Sequence, residues 1–203
     1  MKFMTHLYLG AALLLSACDV AMEANINEDA TITTSVVSYF DQAGCAAAMR
    51  VSGGKEVCVV SDEEGIAFNS ETNKYESTGP GSPKTESFEQ FAKNLSRQEL
   101  GSVIHDEETR TVAIDLSVKN LSSLARRGPS NTIPEPATKF DFGEPDSYDG
   151  KLLQISVSAK EILESTGQIN DDGTRVIFEI PMVYFVYGHG DVGYDEISLV
   201  ARY

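Results

Sequence analysis

Tryptophan is absent from this chain, histidine and cysteine number three each, and 16 basic residues face 31 acidic ones, a net charge of −15. Each shortage closes off a class of function. So acidic a surface repels phosphate backbones, and the paired Arg126-Arg127 is too small to neutralise a run of them, so nucleic acid is excluded as a partner. Sugar-processing clefts usually stack sugars on aromatic faces, and the missing tryptophan weighs against one. The nucleophile-elbow pattern G-x-S-x-G, the EF-hand pattern, internal repeats and heptads are all missing. No stretch reaches the roughly 20 apolar residues that span a bilayer.

What is present is concentrated at the start. Lys2 supplies a positive charge, Leu7 to Leu15 an apolar run, and Ser16-Ala17 two small residues before Cys18. This is the layout of a secretory signal, too short for a membrane span. Leu15-Ser16-Ala17-Cys18 resembles the lipobox of bacterial lipoproteins at every position. The resemblance covers 18 residues and implies that 1–17 are removed and that Cys18 carries diacylglycerol and an N-terminal acyl chain. Two or more chains anchor stably where one binds only marginally. Membrane attachment through Cys18 is thus implied, in a bacterial envelope and facing the periplasm. Asp19 resembles an inner-membrane retention signal, a slight lean against the outer membrane. Loss of 1–17 removes one lysine and His6, leaving 186 residues with a net charge of −16.

With Cys18 lipidated, Cys45 and Cys58 remain, and two cysteines in an exported chain point to one disulfide. Closing that loop is worth about 3 kcal/mol on the chain-entropy model. The competing metal site lacks nearby histidine and two of the four ligands zinc needs. A disulfide also points to an oxidising periplasm.

Residues 18–30 read as a polar, acidic tether, and 31–203 as one β-rich domain. Ile32 to Phe40 reads as a strand, and Ala46 to Val51 with Glu56 to Val60 as a hairpin about Gly53-Gly54. Residues 77–87 read as a loop. A capping box of Ser87 and Gln90 opens a helix with Phe88, Phe91, Ala92 and Leu95 on one face. Val103 to Val118 is a hairpin turning near Asp106 to Thr109, and 128–150, with Pro129, Pro134, Pro136 and Pro145, is a long aperiodic loop. Leu153 to Ala159 alternates as a strand, and Ser158 with Glu161 opens a short helix ending before Gly167. Asn170 to Gly173 is a turn, Arg175 to Tyr187 a long central strand with a break at Pro181, and Ile197 to Ala201 a final strand. The whole predicts a mainly β fold, an antiparallel β-sandwich with one or two short helices, with α+β as the alternative.

Candidate chemistry is thin. Gly188 to Gly193 fits G-x-G-x-x-G, but too few residues follow for the helix and strand a dinucleotide fold requires, and Asp191 would sit in the phosphate cradle. His105 and His189 read as surface residues. The acids Asp171, Asp172, Asp191, Asp195 and Glu196 read as solvated turns rather than a calcium site. The sequence therefore implies no catalytic residue, metal or cofactor. The function expected is a non-enzymatic, membrane-anchored accessory module that binds another envelope protein, with loop 128–150 as the contact surface. The alternatives are a periplasmic hydrolase built around His105 or an acid pair, and a calcium-stabilised ligand-binding domain.

Overall fold

Alternation of apolar and polar residues decides most of this architecture, because side chains on a strand point to opposite faces in turn. The computed structural model describes residues 19–51, 58–62, 65–78, 82–127, 149–187 and 195–203. Two sheets face each other. The larger contains β1 (Asp19–Ile26), β2 (Thr31–Phe40), β3 (Ile66–Asn69), β4 (Lys74–Thr78), β5 (Lys84–Ser87), β8 (Leu152–Ser158), β10 (Gln168–Ile169) and β11 (Arg175–Pro181). Its order is β10-β11-β8-β1-β2-β4-β3, with β5 joining the same edge of β2 further along. The smaller contains β6 (Gly101–Asp106), β7 (Thr111–Ser117), β9 (Glu161–Ser165) and β12 (Glu196–Arg202), in the order β6-β7-β12-β9. The fold is mainly β, with four short helices among the described residues: α1 (Gln42–Val51), α2 (Phe88–Arg97), α3 (Val118–Arg127) and α4 (Met182–Tyr187).

The core lies between the sheets. Leu153, Ile155 and Val157 of β8 and Val176, Phe178 and Ile180 of β11 meet Val112 and Ile114 of β7 and Ile197, Leu199 and Ala201 of β12, all buried. Helix α2 begins where the sequence places it. The Ser87 side chain accepts a bond from the Gln90 backbone N–H at 3.2 Å, while the Gln90 side chain turns forward to Asn94. Phe88 and Leu95 are buried and Phe91 packs on the core.

Four sequence expectations are corrected. Residues 19–30 of the expected tether 18–30 are not one, since Asp19 to Ile26 forms β1, an interior strand with β2 on one edge and β8 on the other. Its alternation is weak but real: Val20 and Ile26 are buried, and Met22 and Ala24 pack against the core. Ala46 to Val51 is not a strand. It continues α1, an alanine-rich segment of high helix propensity, which Asp41 opens by accepting from the Gly44 N–H at 2.7 Å. No helix follows Ser158: Glu161 to Ser165 is β9, paired with β12. Beyond it Gly167 passes so close to β11 that a Cβ would lie 2.7 Å from the Phe178 ring. The strand from Arg175 ends at Pro181, which has no N–H to continue a ladder, and α4 takes over.

The expected loop 77–87 also contributes β5, and β1 runs parallel to β8 inside an otherwise antiparallel arrangement. A tight hairpin forces antiparallel pairing, whereas β1 and β8 are joined only through a long excursion, so direction is free to follow burial.

Registers give the sandwich two distinct ends. Asp19 pairs with Tyr39, Phe40 with Tyr75, Tyr75 with Phe68, and Pro181 with Leu152. The Asp19 end therefore holds the starts of β1, β4 and β8, the ends of β2, β3 and β11, and the helices α1 and α4. The opposite end holds the β1–β2, β6–β7 and β10–β11 turns. The Arg110 guanidinium links the first two by donating to the Glu28 carbonyl at 2.7 Å.

Candidate functional site

Cys18, the expected lipidation site, lies outside the described residues, but its neighbour Asp19 is fixed firmly. The Lys74 ammonium donates to the Asp19 carboxylate at 2.7 Å, and the Leu152 N–H approaches its other oxygen at 3.4 Å. That hydrogen bond, reinforced by the charges of Asp19 and Asp41, outweighs partial burial and raises the Lys74 pKa above its ordinary value. Burial, with the Glu76 and Glu23 charges, likewise raises the phenol of Tyr39, the register partner of Asp19. Lys151, just before β8, pairs with Asp41 at 4.0 Å.

Cys45 and Cys58 are joined in a disulfide, Cα–Cα 5.7 Å, across 13 residues. The bridge packs with Phe40 and Tyr75 in a small cluster of its own, apart from the main core. It ties α1 to the segment that returns along β3, where Ser61 and Ile66 exchange backbone hydrogen bonds at 2.9 Å. Around it, Met49, Val59, Val60 and Phe68 are exposed at 37, 50, 59 and 44%. Phe68 and Tyr75 stack as a tilted pair, centroids 5.0 Å apart. No sequence expectation covers 66–76, and 77–78 belong to β4 rather than to the expected loop. The signal was available in the alternation of Ile66 with Phe68 and Tyr75 with Ser77.

His105 is not a surface residue in a turn. It is an inward-facing residue of β6, two places after Val103, and its Nε2 lies 2.6 Å from the Tyr203 hydroxyl. Phe88 meets its ring edge-on at 5.0 Å, and Arg110 lies 5.2 Å from the centre of the Tyr203 ring. This partner is a phenol, whereas a serine-histidine-acid set needs a carboxylate on the histidine. His189, Asp191 and the glycines of 188–193 lie outside the described residues.

Asp171 and Asp172 sit in the β10–β11 turn, where the Asp172 carboxylate accepts from Thr174, while Asp195 and Glu196 lead into β12. Among the described residues no three acids, histidines or cysteines are grouped to hold a metal. A shallow recess of about 280 Å³ is lined by Glu99, Asp115 and Glu196 with Ser102, Ser117 and Asn120. Asp115 already accepts from Ser198 at 2.6 Å and Asn120 donates to the Glu99 carbonyl at 2.7 Å. The recess thus offers polar acceptors over an open surface, without an enclosed cleft. Of the loop 128–150 only the turn Asp149-Gly150 is described; it leads into β8 beside Asp19.

No protein-family model matches this chain, and no curated protein matches it. Among solved structures it is similar to the folded domain of the LppM protein of Mycobacterium tuberculosis, determined by NMR. The identity is 11% and the TM-score 0.44, over 92% of this chain and 90% of that one. A likeness of this degree supplies no residue correspondence, so each side chain's role rests on its own surroundings. Among the described residues no helix is long and apolar enough to cross a membrane.

Proposed function

We propose that this protein is exported, lipidated on Cys18 and held at a bacterial envelope membrane, where its β-sandwich serves as a protein-binding or structural accessory module rather than an enzyme. The observation that carries the reading is the apolar segment closing on Leu15-Ser16-Ala17-Cys18. The Cys45–Cys58 disulfide supports an oxidising compartment. Loop 128–150 remains the contact surface, and its exit beside Asp19 would present a partner close to the membrane. The inner-membrane lean rests on Asp19 alone, whose carboxylate Lys74 engages.

Two experiments test the reading. Cys18→Ser is expected to abolish labelling by fatty acid and to move the protein from the membrane to the soluble fraction. Labelling that survives the substitution overturns lipidation at Cys18. Deleting 130–146 from the full lipidated chain is expected to leave the circular dichroism spectrum intact and to abolish capture of a crosslinked envelope partner; retained capture overturns the role of the loop.

A further inference from the structure

Resting on the anchored reading, we infer that one corner of the Asp19 end of the sandwich, formed by α1, residues 58–62 and the β3 edge, is seated on the lipid bilayer. The argument begins with chain length. A tether over 19–30 would let the domain roam to about 40 Å from its anchor, at ~3.4 Å per extended residue. Instead Asp19 is already paired with Tyr39 in the sheet, so a Cα of the sheet stands one peptide, ~3.8 Å, from that of Cys18. Acyl chains on Cys18 must enter the bilayer, and this end of the larger sheet goes with them.

The surface at that end suits the position. Phe68 lies three strands from Asp19, along β1-β2-β4-β3, about 14 Å at ~4.8 Å per strand. Phe68, Met49, Val59 and Val60 are exposed there, and Tyr75 beside Phe68 adds a ring suited to the boundary between water and hydrocarbon. Two ion pairs lie at this end, Lys74 with Asp19 and Lys151 with Asp41, beside the further acids Asp62, Glu71, Glu76 and Asp149, so the anchor and the apolar side chains, not charge, favour this corner. The opposite end carries the acidic turns at Glu28-Asp29, Asp106 to Glu108 and Asp171-Asp172, which anionic head groups repel. The carboxylates of Glu99, Asp115 and Glu196 lie on the smaller sheet toward the Asp19 end. The bilayer contact is therefore the corner of the larger sheet, with the smaller sheet tilted away.

The test uses the full lipidated protein in phosphatidylethanolamine–phosphatidylglycerol vesicles. An environment-sensitive fluorophore is placed on Phe68→Cys, on Met49→Cys and on Glu107→Cys, and a quencher is carried on the lipid. Mass spectrometry of Cys18 is read on the same samples. The expected result is a lipidated Cys18, quenching several-fold stronger at 68 and 49 than at 107, and a blue-shifted emission at both. Equal quenching at all three positions with Cys18 lipidated overturns the seating and leaves the anchored reading standing. Shielding of 68 from a water-borne quencher without lipid quenching marks a second copy of the chain on this corner, and overturns it as well. An unmodified Cys18 overturns both. Two probes at one corner keep the test decisive if either substitution fails to fold.

Discussion

Gly101 shows how much one side chain can forbid. A Cβ there would fall 1.9 Å from the Asp115 carbonyl oxygen across the β6–β7 ladder, a clash with backbone that no rotamer relieves. Gly101→Val is expected to cost at least about 2 kcal/mol, read as a lowered urea midpoint; an unchanged midpoint contradicts this register. Asp106, at the start of the adjoining turn, has the opposite character. Hydrogen bonds from the Thr109 side chain, then from the Thr109 and Glu108 N–H groups, hold its carboxyl below the ordinary aspartate value. A depressed folded-state pKa contributes stability that is present above the unfolded value of about 3.9 and is lost as pH falls through the folded one. Because the group is fully exposed the effect on stability is small, and the check is direct: the Asp106 carboxyl resonance should titrate below that of an unstructured aspartate. Both residues occupy places the sequence makes partly visible. The turn at Asp106 follows from its charged run, but the clash at Gly101 depends on which strand lies opposite.

Elements divide by how strongly local sequence binds them. Helix α2, the β6–β7 hairpin, β8 and β12 are legible because a cap, a polar turn or a clean alternation marks each. Local sequence alone points to a strand within helix α1 and to a helix at strand β9. AAAMRV has both helix-forming and apolar character, and EILES begins with Glu161, which together with Ser158 mimics a helix start, so only tertiary partners separate the two. Helix α1 depends on the Cys45–Cys58 bridge, since its cluster with Phe40 stands apart from the main core. Reduction is expected to withdraw about 3 kcal/mol of loop constraint locally. Hydrogen exchange should rise over 42–51, with β1 and β8 still protected. Uniform deprotection of the whole chain would show that the disulfide supports the sandwich as a unit.

For the molecule as a whole, β1 is the decisive element. It bridges β2 and β8 in the larger sheet, and removing it would leave both with open edges and expose the core beneath Val20 and Ile26. A chain beginning at Asn27 is therefore expected to fail to fold, seen as loss of cooperative thermal unfolding. A folded, cooperative product would restore the tether reading. On the proposed lipid anchoring at Cys18, the same placement would turn attachment into orientation, since a domain attached through its own interior strand would have little freedom to turn over on the membrane.

By itself the sequence determined the mainly β class and the cysteine pair, because these follow from residue type and short-range periodicity. Only the tertiary structure decided that β1 is a strand, that it lies parallel to β8, and that His105 faces Tyr203. A weakly apolar segment takes its conformation from the two strands that satisfy its backbone. No periodicity within eight residues records what lies across a gap of more than a hundred.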